Sequence, residues 1–229
     1  MPDLLIKAEK ISKVYQLTAE RIHAVREIDL DIRSGDFIAV MGPSGSGKTT
    51  LLDILGCLGA VTSGRLEVFG KDVSNIAEDS LVAIRRKNIG FVFQDFLLIP
   101  TLTALENVEL PLIFDRLPME HNKAAQILER LGLGHRINHL PRQMSGGEKQ
   151  RVAIARALVT SPKIIFADEP TGDLDSKSGQ QIFDILKELN QETGLTICLT
   201  THNYKLGSQA GRMIYLRDGR IVSKEESNV

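Results

Sequence analysis

Apolar positions along this chain change rhythm from strand-like to helical and back. Residues 5–15 and 24–32 are rich in β-forming side chains, the second run carrying Val25, Ile28, Leu30 and Ile32 toward its end. A polar turn at 33–36 leads into Phe37–Met41, an apolar run of buried-strand length. The glycine-rich residues 42–47 break the pattern, and 48–58 predicts a helix with Leu51, Leu52, Ile54 and Leu55 on its apolar face. A turn at 62–64 and a strand at 65–69 follow, and 89–93 is again short and apolar. Residues 103–133 then carry helical periodicity, interrupted only by Pro111 and Pro118. Thr103 and Glu106 form a capping box at its start, and Ala124, Ile127, Leu128 and Leu131 make a stripe that stops at Gly132. The last third returns to alternation: a helix at Gly146–Leu158, a strand at 163–168, a helix at 176–190, and a strand at 196–200. Residues 213–216 and 220–222 flank Asp218-Gly219, a hairpin signal, and the polar tail 224–229 is expected to fray.

This is α/β alternation with a helical insertion. At 229 residues the chain fits one large domain, or a domain with a subdomain, better than two. We expect a single domain over 1–229 with a helical subdomain at about 95–160. With 42% hydrophobic and 25% charged residues, a wholly disordered or fibrous chain is excluded. Lys and Arg number 28 against 29 Asp and Glu, a net charge of −1, so no broad positive field exists for general nucleic-acid binding. Cys57 and Cys198 sit in apolar runs at no metal or redox spacing and are expected to be small buried hydrophobes. No apolar stretch reaches about 18 residues, and the first four residues lack the basic and apolar regions of a signal peptide. The expectation is a cytoplasmic chain that docks on a membrane component and does not itself cross the bilayer.

Candidate chemistry concentrates at two places. Gly42, Pro43, Ser44, Gly45, Ser46, Gly47, Lys48 and Thr49 satisfy G-x-x-x-x-G-K-[ST], with Thr50 next in the helix, directly between a strand and a helix. Glycines let backbone N–H groups wrap phosphate oxygens, and the helix N-terminus adds partial positive charge. Lys48 can reach β/γ-phosphates and the Thr49 hydroxyl can ligate Mg²⁺. The second place is the end of the strand 163–168, where Asp168 and Glu169 follow a buried apolar run. Alternation aims neighbouring strand side chains in different directions, so Asp168 suits the Mg²⁺ surroundings and Glu169 an attacking water. No Asn-Lys-x-Asp guanine reader is present, which favours ATP over GTP.

Further residues give the pattern a family. The run from Gln143 through Met144, Ser145, Gly146, Gly147 and Glu148 to Leu158 resembles the signature motif of ABC transporter ATPases and its helix. Gln94 resembles the family's Q-loop, Gly172-Asp173-Leu174-Asp175 its D-loop, His202 its switch histidine, and Tyr15 its adenine-stacking aromatic. Ser145 and Glu148 also read as an ordinary capping box, His202 as a packing residue, and Tyr15 as the packed end of a strand. The resemblance covers essentially the whole chain. It implies a P-loop core with an N-terminal antiparallel β subdomain and an inserted helical subdomain. Glu169, His202, Gln94 and Lys48 would be catalytic, and Thr49, Gln94 and Asp168 would hold the metal. Tyr15, residues 42–50, and Ser145, Gly146 and Gly147 would bind ATP.

In that arrangement Ser145 and Gly147 serve the ATP of an opposite chain, giving an ATP-dependent homodimer. Residues 90–96 and 98–108 resemble the branch serving lipoprotein release, macrolide or peptide export, and cell division. Its members sit on the cytoplasmic side of the inner membrane under a permease with a large periplasmic domain. Met144 departs from the usual leucine and Asn203 from the usual aspartate after the switch histidine. Two other readings are a soluble ABC-type ATPase of repair or translation and a regulatory ATP-binding tether. The first predicts coiled coils, a duplicated cassette or a basic surface, none of which the sequence carries.

Overall fold

Two long strands open the chain, β1 (Leu4–Gln16) and β2 (Arg21–Arg33), paired antiparallel. The computed structural model describes residues 2–16, 20–114 and 121–227. Strand β2 starts three residues before its apolar pattern, because Arg21, Ile22 and His23 pair with Gln16, Tyr15 and Val14. β3 (Phe37–Met41) is buried at every position. α1 (Lys48–Leu55) follows the glycine loop and stops short of its apolar run, capped by Gly56 before Cys57 turns to positive φ. β4 (Ser63–Val68) and β5 (Lys71–Asp72) complete an antiparallel sheet in the order β2-β1-β4-β5. α2 (Glu78–Asn88) was not legible in the pattern, since Leu81 alone among its described side chains is buried.

β6 (Ile89–Val92) precedes the helical insertion: α3 (Ala104–Phe114), α4 (His121–Arg130) and α5 (Gly146–Leu158). Glu106 accepts from the Thr103 N–H at 2.7 Å, and Thr103 Oγ1 accepts from the Glu106 N–H at 3.3 Å, closing the expected box. Pro111 lies inside α3 without ending it, and Pro118 lies outside the described residues. Next come β7 (Ile164–Ala167), α6 (Ser176–Thr193), β8 (Thr196–Thr201), α7 (Tyr204–Gly207), β9 (Arg212–Arg217) and β10 (Arg220–Val222). Where fraying is expected, a last turn forms, α8 (Lys224–Ser227). Glu226 accepts from the Ser223 N–H, and its carbonyl accepts from Arg217 Nη1, which holds that turn. Residues 228 and 229 of the tail lie outside the described residues.

The second sheet runs β10-β9-β3-β8-β7-β6, parallel except for the β9–β10 hairpin. Alternation splits its side chains between two cores. Ile38, Val40, Ile164, Phe166 and Cys198 face α1 and the antiparallel sheet. Phe37, Ala39, Ile165, Ala167, Ile197 and Leu199 face the helices α3 to α6. Both cysteines are buried as expected, and burial pushes the Cys57 thiol up to about 11 and Cys198 up to about 12. The carboxyl ends of β3, β6, β7 and β8 share one edge, the place where open parallel sheets bind ligands. They deliver the loop 42–47, Gln94, the Asp168–Glu169 pair and His202 to one side of the molecule.

Candidate functional site

The glycines of the loop are fixed by contact and by backbone conformation. A Cβ on Gly42 would lie 2.1 Å from the Leu216 carbonyl oxygen, and one on Gly47 2.1 Å from that of Ala24. Gly45 and Gly47 also take φ of +78° and +102°, values that favour glycine. Behind the loop, Ser46 C=O accepts from the Gly219 N–H at 3.0 Å and Gly219 C=O accepts from the Arg26 N–H at 2.8 Å. The hairpin after β9 thereby braces the loop from a strand about 175 residues away. Gly47 caps α1 with no side-chain hydrogen bond, so the first-turn N–H groups have no side-chain acceptor at that cap. Lys48 is buried, and its Nζ donates to Gly42 O at 3.0 Å and Pro43 O at 3.1 Å.

The two carboxylates divide their partners as strand alternation predicts. Asp168 Oδ2 accepts from Thr49 Oγ1 at 2.8 Å, and its Oδ1 accepts from Thr200 Oγ1 at 2.6 Å. Glu169 turns the other way: Oε1 lies 3.5 Å from Lys48 Nζ and Oε2 lies 2.8 Å from His202 Nδ1. Glu169 itself takes φ +42°, and its N–H donates to Thr200 Oγ1 at 2.8 Å. One hydroxyl thus bridges both acids. Burial, then the nearby Asp168 charge, pushes the Asp53 carboxyl up from its ordinary range. Asp168 therefore stands in a locally acidic corner that a divalent cation would neutralise.

A cleft of about 960 Å³ opens over this edge. Ser44, Gly45, Gly47, Lys48, Thr49 and Thr50 form its floor. The start of β2, Gln94, both carboxylates and Asp218-Gly219 form its walls. Gln94 Nε2 donates to Asp173 Oδ1 at 2.8 Å, so the amide oxygen is the end Asp173 does not engage. Tyr15 lies outside the cleft lining. It is exposed at the end of β1, with Lys13 Nζ 5.3 Å from its ring centroid, while its cross-strand partner Ile22 lines the cleft. Ser145, Gly146 and Gly147 are likewise not cleft-lining residues.

At the start of α5 the capping box is real. Glu148 Oε2 accepts from the Ser145 N–H at 2.7 Å, and Ser145 Oγ accepts from the Glu148 N–H at 3.3 Å. Ser145 is exposed, Gly146 half-buried and Gly147 buried. A Cβ on Gly146 would sit 3.0 Å from Leu174 Cδ2, whereas one on Gly147 would make ordinary contact with Ser178. The chain's own packing gives Gly146 a reason to be glycine and gives Gly147 none. Asn203 keeps a capping job, its Oδ1 accepting from the Leu206 N–H at 3.3 Å. Thr200 and Gln150 escaped the sequence reading. Thr200 is a polar residue inside a wholly buried strand, and that was the available signal; Gln150 stands between Lys149 and Arg151 and gave none.

The residues fit a magnesium nucleotide. Among the described residues no three His, Cys, Asp or Glu side chains form a metal cage. Mg²⁺ does not need one, since it is held by one or two protein oxygens, waters and substrate phosphates. Thr49, Asp168 and Gln94 offer such oxygens. Ser46 Oγ is buried beside Gly42 with no hydrogen-bond partner among the described residues, a hydroxyl that suits an anion in the loop.

A glycine cradle at a helix N-terminus, a buried lysine and two divided carboxylates define a P-loop site for nucleotide hydrolysis. The family described as ABC transporter matches residues 25–172. The chain is 46% identical over 233 residues to an uncharacterized ABC transporter ATP-binding protein, MJ0796, of Methanocaldococcus jannaschii, covering 97% of each. It is 47% identical over 221 residues to the macrolide export ATP-binding/permease protein MacB of Bdellovibrio bacteriovorus. That match covers 96% of this chain and 34% of MacB, so the chain spans about a third of that relative's length. Among solved structures, a dimeric post-hydrolysis state of MJ0796 bound to ADP and Pi superposes with a TM-score of 0.88 at 46% identity, over 96% of this chain and 97% of that one. The chain belongs to the ABC transporter family. Its fold is that of the ABC-type P-loop ATPases, with the N-terminal β sheet and helical insertion the sequence implied.

Proposed function

We propose that this chain hydrolyses MgATP as the cytoplasmic ATPase subunit of a membrane export or mechanotransmission complex, the whole of 1–229 acting as one ATPase domain. The division of Asp168 and Glu169 between Thr49 and His202 carries the reading. Loop N–H groups and Lys48 hold the phosphates, and Thr50 extends the helix start that faces them. Thr49 and Asp168, with Gln94, would hold Mg²⁺, which when bound would neutralise phosphate charge. Glu169 takes the proton of the attacking water. His202, hydrogen-bonded to Glu169, keeps that carboxylate oriented and stands beside the terminal phosphate. Tyr15 is assigned to adenine.

Each ATP is completed by Ser145, Gly146 and Gly147 of a second copy, giving an ATP-dependent homodimer. The exposed cap at Ser145, which is not among the residues lining its own chain's cleft, and the dimeric relative support this. Attachment to a permease is supported by MacB, whose name joins both functions, and by an apolar rim. Leu97, Ile99, Ile113 and Phe114 are exposed, Leu97 and Phe114 beside a groove of about 540 Å³ between α2, β6 and α3. Such a concentration of exposed apolar side chains marks a docking surface. Among the described residues no helix is long and apolar enough to cross a membrane. The bilayer-spanning part and its periplasmic portion are assigned to the permease. A near-neutral charge leaves no expectation of nucleic acid.

Phosphate release from MgATP tests the reading. Glu169→Gln should retain ATP binding while turnover drops by roughly 10²-fold or more, the scale of general-base catalysis. Normal turnover in Glu169→Gln would move the base to another group.

A further inference from the structure

Gln150 lies one turn into α5, wholly buried, and no chemistry described above uses it. Its Nε2 donates to two carbonyls that belong to different parts of the site: Phe93 O at 3.3 Å and Pro170 O at 2.8 Å. Phe93 immediately precedes Gln94, and Pro170 immediately follows Glu169. Both partners are acceptors, so the amide must present its NH₂ to them, and its orientation is fixed. The consequence is a buried Oε1 with no partner among the described residues. An apolar side chain of the same size would spare the unpaired Oε1 but would take the donor away from both carbonyls. What the amide contributes at this buried position is therefore the link between two backbone segments, obtained at the cost of one unsatisfied oxygen.

A second anchor lies two turns further along the same helix. Arg156 donates from Nη1 to Leu97 O and from Nη2 to Phe96 O. Phe96 and Leu97 are consecutive residues at φ +60° and +47°, a strained pair that a two-pronged guanidinium can hold. Helix α5 thus grips the segment around Gln94 on both sides. Through the Gln150 amide it also holds the segment that carries Glu169.

We infer that Gln150 is a positioning residue for hydrolysis: it ties the backbones beside Gln94 and Glu169 to each other and to the helix headed by Ser145. A shift of α5 at its exposed start then moves both segments together. This rests on the ATPase reading, and a measurement independent of ATP separates the two. Gln150→Met keeps the volume and removes both N–H donors. Turnover should fall by about 10- to 100-fold, the scale of a misplacement near 1 Å, while KM for ATP changes by less than about threefold. Hydrogen exchange of 93–97 and 169–173 should rise about tenfold, with the loop 42–49 unchanged.

Gln150→Asn keeps the amide but is one methylene short of spanning both carbonyls, so its turnover and exchange should fall between wild type and Gln150→Met. It carries the decision if Gln150→Met does not fold. Wild-type turnover with wild-type exchange in either variant would overturn the inference, as would a raised KM at unchanged turnover. If the wild-type chain releases no phosphate from ATP, the ATPase reading fails on its own. The exchange of 93–97 and 169–173 then still decides whether Gln150 clamps them.

Discussion

At the residue scale, the phosphate loop separates two reasons for glycine. Gly42 has no room: an added Cβ would lie 2.1 Å from a backbone oxygen of β9, so the loop or the strand must move. Gly45 has room, with nothing within 4 Å of an added Cβ, and is constrained only by its φ of +78°. Gly45→Ala should lower stability by about 1 kcal/mol and weaken ATP binding only slightly. Gly42→Ala should abolish ATP binding, because the displaced atoms belong to the cradle itself. Thermal melts together with titration of a fluorescent ATP analogue separate the two variants. Equal losses in both would mean that backbone conformation, rather than contact, sets the loop. The same distinction explains why Glu169 at φ +42° persists: Thr200 Oγ1 accepts its N–H and also donates to Asp168, so one side chain over-determines the strained position.

At the scale of the element, α5 shows how a local cap becomes a pH response. The Ser145 N–H holds the Glu148 carboxyl below its ordinary range, against the opposing effect of burial, with the Ser145 hydroxyl and Arg136 assisting. A carboxyl lowered in the folded state stabilises it above the unfolded value of about 4.3, and that contribution disappears as pH falls through the folded value. Glu148→Gln still completes the box and should lose no more than about 1 kcal/mol at pH 7. It should melt with a smaller drop than wild type as pH falls from about 5 through the lowered folded value, which lies below about 4.3. An unchanged drop in calorimetry would place the acid sensitivity elsewhere. This helix was also the element most legible in the chain, because Ser145 and Glu148 mark its start in four letters. Strand β2 was legible only in part, since Arg21–His23 are exposed and owe their conformation to partners in β1. Helix α2 escaped because it rests on one buried leucine, and Gln150 because a polar letter in a helix carries no sign of what it touches.

Across the whole molecule, contiguous motifs fixed the chemistry while strand order set their meeting. The eight-residue glycine pattern and the acidic pair could be read directly, but nothing in the letters says that β3 lies between β8 and β9. Tyr15 shows the reverse limit, a residue assigned by its family position that lies outside the cleft lining. The two-copy site also belongs to this scale. Glu169→Gln should be dimeric with ATP and largely monomeric without it, because nucleotide stabilises only the state that holds it more tightly. Adding Ser145→Arg should abolish that dimer and spare ATP binding to the single chain, which uses its own loop. Light scattering at fixed protein concentration, with and without ATP, reads both outcomes. An ATP-independent oligomer, or a dimer that survives Ser145→Arg, would leave Ser145 as a helix cap alone. The placement of β3 carries a further consequence, in time. On a ribosome the phosphate loop is made about 150 residues before β8, the first of the strands that flank β3, and about 170 residues before the Gly219 N–H that braces it. At about 5–20 residues per second the loop waits many seconds for its scaffold. A nascent chain therefore carries the complete phosphate-binding motif long before it has a pocket to put it in.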